Sequence, residues 1–350
     1  MKFGCNGEFI VRTSIIITNW NGRRHLPDCL ESIEQQTDTD FEVILVDNGS
    51  TDGSIEYIRT RHPWVKLVCL PENRGFAAGN NIGLEHASGT FIVTLNNDTC
   101  AEPDWLAELI SAAEAHPRAG MVSSRICTSN DRDRIDSIGL KVCRDGMSRG
   151  AHRLQSFAAL SLERVTPILA TSACVGLYRR SMLDETGFFD EDFFAYCEDT
   201  DLGLRGRLAG WDAVLARDAV VRHKYSQTAG TFSPFKLYLV ERNHYWVALK
   251  TFPRTWLLLL PFFTVARFLI QAAVVLGGKG AGGELLASGS RRQCIYALAR
   301  GIRDAAAAIP GMLHKRSAIM RTRKLSNREF TALLKKYRLS FSELLDTGAR

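Results

Sequence analysis

The sequence lacks the cysteine patterns that mark a metal-binding or disulfide-bonded domain. Its nine cysteines include no C-x-x-C pair and no cysteine-to-histidine spacing of a zinc site. An odd number of cysteines also cannot all form disulfides within one chain. We therefore expect reduced thiols, as in a cytosolic protein.

Two nucleotide-binding motifs and an export signal are also missing. No G-x-G-x-x-G follows the first apolar run, and no G-x-x-x-x-G-K-[ST] occurs anywhere in the chain. The fingerprints of a Rossmann dinucleotide site and of a P-loop are therefore absent. Residues 1–12 contain no long apolar core, so we expect no signal peptide there and a working domain that faces the cytoplasm.

The charge is distributed unevenly along the 350 residues. Residues 250–350 contain 18 Lys and Arg against 5 Asp and Glu, whereas the preceding residues are net negative. The length and the hydrophobic content of 45% suit one large α/β domain of roughly 220–250 residues with an appendage. A basic appendage is typical of proteins that meet an anionic membrane or nucleic acid.

Four apolar runs, each followed by polar turn residues, dominate the first hundred residues. They lie at 14–18, 41–46, 65–70 and 91–95. Such βα units with short loops predict a parallel sheet wound by helices, with all four loops at the same edge. Ligands of open α/β sheets bind at that edge, so we expect one shared crevice there.

The fourth run ends in Asn96-Asn97-Asp98, which brings a carboxylate and two amides to the end of a strand. Oxygen ligands of this kind suit a hard divalent cation that holds phosphate oxygens. The alternative is a polar turn in which Asp98 or Thr99 caps the following helix.

Four ordered motifs resemble the family 2 glycosyltransferases of the GT-A fold. They are Ser14 to Asn21, Val46 to Gly53, Asn73 to Asn81 and Leu95 to Asp98. The resemblance covers about residues 12–250 and is nearest to the bacterial rhamnosyltransferase-like branch that builds surface polysaccharides. It implies an α/β fold with a Rossmann-like, mainly parallel sheet flanked by helices. The implied domain spans 1–250, with a nucleotide-sugar half at 12–127 and an acceptor half at 128–250.

The resemblance also implies donor-binding residues. Thr18, Asn19 and Asp47 would hold the nucleobase and ribose. The residues implied nearer the sugar and diphosphate are Asn73, Arg74, Asn80, Asn97 and Arg242. Arg242 could instead brace the helix predicted over 234–251.

The metal motif of the family, Asp-X-Asp, is altered in this sequence. It reads Asn96-Asn97-Asp98, so its first carboxylate is an amide. The resemblance leaves Asp98 as the main ligand of Mg²⁺ or Mn²⁺ and adds His223, at the end of a predicted strand, as a second ligand. His223 could equally be an ordinary surface or core residue.

A second informative stretch is Glu198-Asp199-Thr200-Asp201, at the start of a predicted helix. The helix dipole stabilises carboxylates there, so alone it would be an ordinary acidic first turn. Because aromatic and acidic residues precede it, the stretch resembles the acceptor-side motif of the same family. The resemblance makes Asp199 the catalytic base, with Glu198 beside it, whereas we expect Asp201 to cap the helix or pair with an arginine.

Two further regions are predicted from pattern alone. Residues 128–163 show little periodicity, which predicts an irregular acceptor-side insertion. Residues 256–276 are long enough to span a bilayer, but Pro261, Arg267 and Gln271 interrupt the run, so lying in the interface competes with spanning. A buried hairpin helix or a homodimer contact is the alternative.

We expect 251–350 to form a helical region, first apolar and then basic, that associates with the cytoplasmic face of the bacterial inner membrane. The association would be peripheral or shallow. The basic segments at 315–324 and 335–338 lack interleaved aromatics on a defined nucleic-acid-binding fold, so we expect no nucleic-acid partner.

Together the residues predict an inverting sugar transfer. The resemblance implies a nucleotide-diphosphate sugar donor, most specifically dTDP-L-rhamnose, and a saccharide or polyprenyl-linked saccharide acceptor. A UDP-sugar is the alternative donor.

Nucleotidyl transfer is disfavoured because residues 19–24 poorly match the required Gly-rich loop. A catalytically impaired nucleotide-sugar-binding or scaffold protein is suggested by Asn96, but the retained Glu198-Asp199 pair argues against it.

Overall fold

The computed structural model describes residues 2–3, 9–224, 233–276 and 291–345. The strands are β1 (Lys2–Phe3), β2 (Phe9–Ile10), β3 (Thr13–Asn19), β4 (Phe41–Asp47), β5 (Lys66–Cys69), β6 (Phe91–Leu95), β7 (Thr99–Ala101), β8 (Ala119–Thr128), β9 (Asp131–Ser137), β10 (Leu140–Val142), β11 (Ser148–Gly150), β12 (Val165–Pro167), β13 (Val175–Arg179) and β14 (Asp212–His223).

The helices alternate with the strands in the first half of the chain and dominate the end. They are α1 (Leu26–Glu34), α2 (Ser54–Arg61), α3 (Gly75–Glu85), α4 (Trp105–Ala115), α5 (Arg180–Thr186), α6 (Glu198–Leu208), α7 (Pro234–Thr251), α8 (Arg254–Leu276), α9 (Arg291–Ala307), α10 (Ile309–Thr322), α11 (Asn327–Lys336) and α12 (Phe341–Leu345). A short 3₁₀ turn covers Glu191–Phe193.

A ten-stranded mixed sheet forms the centre of the molecule. Strands β5, β4, β3 and β6 lie side by side and run parallel, as the four apolar runs predict. Strand β13 follows antiparallel to β6 and β8, and β14 is parallel to β8. Strands β3 and β6 are buried on both faces because helices cover both sides of the sheet, which explains their mainly apolar sequences, whereas the edge strand β5 is partly exposed. The predicted α/β fold is confirmed.

The acceptor half is more regular than its sequence predicts. The irregular insertion expected over 128–163 is wrong in part, since β9, β10 and β11 lie within it. Strand β9 pairs with β8 at the edge of the sheet, and its first four residues are exposed, charged side chains. A mostly solvent-exposed edge strand has no alternation of apolar and polar residues in its sequence. It is therefore recognised only from its backbone hydrogen bonds to the neighbouring strand.

The helices after residue 250 share the main core with the sheet. Trp256, Ala305, Met312 and Phe330 belong to the same buried cluster as Tyr178 of β13. The domain boundary placed at residue 250 stays a prediction, but packing is continuous across it.

Helix α8 is the one described helix with the length and composition to cross a membrane. Its qualifying stretch, Arg254–Ala273, has a mean hydropathy of 1.7, and only 11% of the most apolar part is buried inside the protein. The predicted apolar segment is therefore a helix that is exposed along much of its length.

Candidate active site

The carboxyl ends of β3, β4 and β6 are joined by a buried polar network. The Nδ2 atom of Asn97 donates to Oδ1 of Asn19 (2.7 Å), and Nδ2 of Asn19 donates to Oδ2 of Asp47 (2.8 Å). The other Asp47 oxygen accepts from the backbone N–H of Ser50 (2.8 Å). Gly22 is required here because a Cβ atom would lie 2.1 Å from Asn97 Nδ2. These three strand ends therefore form one pre-organised edge.

The loop after β5 carries the remaining predicted donor residues. The Oδ1 atom of Asn73 accepts from the N–H of Gly75 (2.9 Å), and Asn80 donates to the carbonyl of Phe76 within α3 (2.9 Å). The Arg74 side chain is about half exposed and lies 3.4 Å from Glu191. This loop therefore lies beside the end of β4, with Arg74 as its exposed cation. Thr18, at the end of β3, lies against α3 beside Gly79.

Asp98 follows β6 and faces His223 at the end of β14. The Asp98 carboxylate is 5% exposed, and its Oδ1 lies 3.3 Å from Nε2 of His223. Apart from this contact with His223, Oδ1 has no hydrogen-bond partner within the described ranges. Burial alone would raise the pKa of Asp98, but the nearby His223 holds it below its usual value. The carboxylate is therefore ionised, and the described residue that engages its Oδ1 is His223.

The orientation of His223 is set from its other ring nitrogen. Its Nδ1 lies 2.7 Å from Oδ2 of Asp136 in β9, and Arg153 pairs with the other Asp136 oxygen. A carboxylate on Nδ1 fixes the ring and directs Nε2 towards Asp98, as in the carboxylate–histidine–metal arrangement. Burial alone would lower the pKa of His223, but Cys174, Asp136 and Asp98 raise it well above its usual value.

The predicted metal ligands are therefore adjacent, but the set is small. No group of three or more His, Cys, Asp or Glu side chains that could hold a metal occurs in the described parts of the chain. Asp98 offers an ionised oxygen, and His223 offers an oriented ring nitrogen whose proton a bound cation would displace. This pair fits a divalent cation whose other ligands are substrate phosphate oxygens and water.

The backbone before α6 is strained. Phe194, Tyr196 and Cys197 have φ angles of 63°, 70° and 69°, which side-chain-bearing residues rarely adopt. Such strain clusters at functional sites and persists only where surrounding contacts hold it. The donor side provides one such contact, since the carbonyl of Phe194 accepts from the N–H of Ala77 in α3 (3.1 Å).

Helix α7 provides the other contacts that hold this turn. The Nδ2 atom of Asn243 donates to the carbonyls of Phe193, Ala195 and Tyr196 at 2.8–2.9 Å. Arg242 donates to the carbonyls of Asp192 (2.9 Å) and Phe193 (3.0 Å). The structure places Arg242 as a brace, the alternative noted from sequence, and a contact with the donor stays a prediction.

The turn presents Glu198 and Asp199 at the amino end of α6. The Oδ1 atom of Asp199 accepts from the N–H of Thr200 (2.7 Å) and from its hydroxyl (3.2 Å). Oδ2 accepts from the N–H of Ala173 (3.3 Å). Burial raises the pKa of Asp199, whereas these donors oppose the rise.

Glu198 lacks comparable support. Its Oε2 has no hydrogen-bond partner among the described residues. Burial and the charge of Asp199 raise the pKa of Glu198 to about 8. The pKa values of both carboxyls are raised, but three donors stabilise the anion of Asp199, whereas Oε2 of Glu198 has none among the described residues. Asp199 is therefore the better-stabilised anion of the pair and the one suited to accept a proton.

Asp201 has a structural role. It is fully buried, and its Oδ2 accepts from Nε of Arg205 (2.8 Å), while Oδ1 lies 2.8 Å from Nζ of Lys250. Lys250 also pairs with Asp190 (2.7 Å), which in turn contacts Lys315 of α10. Asp201 therefore pairs with an arginine, one of the two expected roles, and does not cap the helix.

The two halves of the site meet at the irregular segment before β13. Ala173 donates to Asp199, and the next carbonyl, of Cys174, accepts from the N–H of Asn96 (2.8 Å). Strand β13 begins at Val175. The segment before it therefore joins the acidic turn to the end of β6.

Sequence reasoning missed two residues that shape this site. Asp136 lies in a charged stretch that carries no pattern, so no sequence signal points to it. Asn243 follows Arg242, and this pair resembles a signature of the family 2 glycosyltransferases, so the sequence could have pointed to Asn243. Both act at long sequence distance, on His223 and on the turn before α6.

Comparisons with known proteins identify similar glycosyltransferases. The family model described as Glycosyl transferase family 2 matches residues 14–187. The N-acetylglucosaminyl-diphospho-decaprenol L-rhamnosyltransferase of Mycobacterium tuberculosis is 28% identical over 240 residues, which cover 62% of this chain and 77% of that protein.

Two solved structures share the fold. S. aureus TarS 1–349 in complex with UDP-GlcNAc has a TM-score of 0.53 at 17% identity, with 93% of this chain and 91% of that chain covered. The mannosyltransferase PcManGT from Pyrobaculum calidifontis, in complex with GDP-Man and Mn²⁺, has a TM-score of 0.51 at 19% identity, with 89% and 88% covered.

Proposed function

Because this chain carries a glycosyl transferase family 2 domain on a GT-A fold, we propose that it is a metal-dependent, inverting glycosyltransferase. The observation that carries the proposal is the arrangement of Asp98 and Asp199. The ionised Asp98 carboxylate faces the oriented His223 imidazole. The Asp199 carboxylate accepts from the N–H of Ala173, and the neighbouring carbonyl of Cys174 accepts from the end of β6.

The donor occupies the crevice at the carboxyl edge of the parallel strands. Asn19, Asp47 and Asn97 hold the strand ends in register through their shared hydrogen bonds. Thr18 and the loop that carries Asn73, Arg74 and Asn80 border the same crevice. The exposed guanidinium of Arg74 is available to phosphate oxygens.

Asp98 and His223 would hold Mg²⁺ or Mn²⁺. When bound, the cation supplies positive charge against the departing diphosphate. Asp199 accepts the proton of the acceptor hydroxyl as that oxygen attacks the anomeric carbon from the opposite face. One displacement inverts the configuration and needs no nucleophile from the protein. Glu198 lies beside Asp199 and is the less stabilised anion of the pair.

The curated relative supports a proposal for the substrate class. That protein is an L-rhamnosyltransferase that acts on a decaprenol-linked saccharide, so we propose dTDP-L-rhamnose as donor and a polyprenyl-linked saccharide as acceptor in surface polysaccharide synthesis. The UDP-GlcNAc bound by TarS keeps a UDP-sugar as the second candidate donor. A lipid-linked acceptor also supports a location at the cytoplasmic face of the inner membrane.

Thermal shift with a panel of nucleotide sugars, with and without Mn²⁺, discriminates the donors, since a ligand of the native state raises the Tm.

The metal assignment predicts the behaviour of Asp98→Ala. We expect the variant to fold, because His223 keeps its pairing with Asp136, but to lose Mn²⁺-dependent donor binding and turnover. Calorimetric titration of donor with and without Mn²⁺ measures the effect. Asp104→Ala, six residues later at the start of α4, is the matched control and should retain both. Donor affinity that still rises with Mn²⁺ in a folded Asp98→Ala variant would reject the assignment.

The histidine assignment predicts the behaviour of Asp136→Asn. An amide in place of the carboxylate weakens the hold on Nδ1, so Nε2 of His223 is directed less well. We expect Mn²⁺ affinity to fall by about 10–100-fold, the usual effect of losing a carboxylate partner behind a histidine ligand. Electron paramagnetic resonance of free Mn²⁺ measures the affinity without turnover. Asp131→Asn, in the exposed part of β9, is the control, and equal affinities in the two variants would contradict the role of Asp136.

A further inference from the structure

One face of helix α8 is an exposed apolar stripe. Leu258, Phe262, Val265 and Leu269 follow one another at intervals of three or four residues, which places them on one side of the helix. Their exposed fractions run from 57% to 82%. A contiguous apolar surface of this kind marks an interaction site. No sheet or helix of the described chain covers it.

The opposite face of α8 is fixed to the protein by an arginine. Arg267 lies nine residues beyond Leu258, or two and a half turns, and so projects from the other side of the helix. It is 1% exposed. Its Nε lies 2.5 Å from Oδ2 of Asp145, and its Nη2 lies 2.8 Å from Oε1 of Glu241.

The partners of Arg267 belong to the body of the domain. Asp145 lies between β10 and β11, Glu241 is in α7, and both are fully buried. Gln271 also accepts from Nη1 of Arg267 (3.2 Å), so the guanidinium is held in place. If α8 turned away to cross a bilayer, both carboxylates would lose their cation inside the protein, which is strongly unfavourable. The mid-helix arginine therefore anchors α8 to the domain.

We propose that α8 docks the enzyme on an anionic lipid bilayer while lying parallel to its surface. The apolar stripe enters the boundary between head groups and acyl chains, and Arg267 faces away from the lipid. Charge complementarity favours this partner, because residues 250–350 contain 18 Lys and Arg against 5 Asp and Glu. Arg254, at the start of α8, is exposed beside the stripe.

This inference deepens the membrane location proposed above by naming the surface and its orientation. It does not need a particular donor or acceptor. Vesicle binding is measured without substrates, so its failure is distinguishable from a failure of the proposed sugar transfer.

Flotation of the full chain with vesicles tests the docking surface. We expect binding to phosphatidylcholine vesicles that contain phosphatidylglycerol and weaker binding to phosphatidylcholine alone. Changing Leu258, Phe262 and Leu269 together to serine should lower the partition coefficient at least ten-fold with an unchanged Tm. For single changes, Phe262→Ser should reduce binding, whereas Trp64→Ser, at an exposed aromatic remote in sequence from α8, should not. Absence of vesicle binding by the native chain would overturn the proposal.

A second copy of the chain is the competing occupant of the stripe. Sedimentation of the same variants identifies it. If the native chain is a dimer that the triple serine variant dissociates, while vesicle binding is unchanged, the stripe is a subunit interface and the proposal is wrong.

Depth measurements test the orientation without any disruptive substitution. A fluorescent amino acid placed at Leu258 or at Leu269 is quenched by lipids brominated at known depths. The two positions are about 16 Å apart along the helix axis. A surface helix gives equal depths, whereas a spanning helix gives depths that differ by most of that distance and would overturn the proposal. Arg267→Leu should also lower the Tm more than Arg254→Leu, because only Arg267 pairs with buried carboxylates.

Discussion

Asp199→Asn is expected to retain donor binding and to lose sugar transfer by about 10²–10⁴-fold, the range that general-base catalysis contributes. The amide is nearly isosteric with the carboxylate but cannot accept the proton of the acceptor hydroxyl. One structural cost is expected, because the amide nitrogen meets the N–H of Ala173 or of Thr200 where a carboxylate oxygen accepts now. Single-turnover transfer and donor titration, measured on the same preparation, separate the two effects.

The free energy of unfolding of Asp199→Asn shows whether the variant stays folded. Loss of one hydrogen bond should lower the free energy of unfolding by about 1 kcal/mol, too little to unfold the domain. Transfer at a near-native rate by folded Asp199→Asn would mean that another group takes the proton. Loss of donor binding together with transfer would instead place Asp199 on the donor side.

Asp201→Asn is expected to have the opposite profile. Its carboxylate is fully buried between Arg205 and Lys250, so neutralising it leaves two cations in the core with reduced compensation. Removing one partner of a buried ion pair costs about 3–5 kcal/mol. The lower part of that range applies, because Lys250 keeps its contact with Asp190. Urea unfolding measures the loss, and the transfer rate of the folded fraction should stay close to native.

A carboxylate that pairs at the surface provides the matched comparison. Asp212 contacts Arg207 at 2.9 Å but is about half exposed, so Asp212→Asn should cost less than about 1 kcal/mol. If Asp201→Asn were as mild as Asp212→Asn, the buried network would contribute little. If folded Asp201→Asn were inactive, the roles of the two aspartates in α6 would have to be exchanged.

The donor half of the fold could be predicted from sequence because local pattern determines it. Residues 14–18, 41–46, 65–70 and 91–95 are apolar enough to be buried strands, and polar turns end each of them. Parallel strands with short connections must present those turns at one edge, so the place of Asn19, Asp47 and Asp98 follows from chain order. The structure confirms that edge, and the motifs there are continuous in sequence.

The remaining features depend on contacts between distant segments. Asp136 meets His223 across 87 positions, and Asn243 meets the turn before α6 across about 50. Neither contact produces a periodic pattern in the sequence. A buried polar residue needs a hydrogen-bond partner, and that partner can lie far away in sequence.

Arg267 illustrates the same limit. Within its apolar run it reads as an interruption of a membrane span, and sequence leaves spanning, interfacial and buried alternatives open. Only the folded chain brings Asp145 and Glu241 to its guanidinium, and those two ion pairs determine which side of α8 faces the protein. By itself, the sequence determined the parallel sheet, its polar edge and the acidic turn. The tertiary structure decided which carboxylates are ionised, paired or exposed, because burial and partner charges exist only after distant residues have come together.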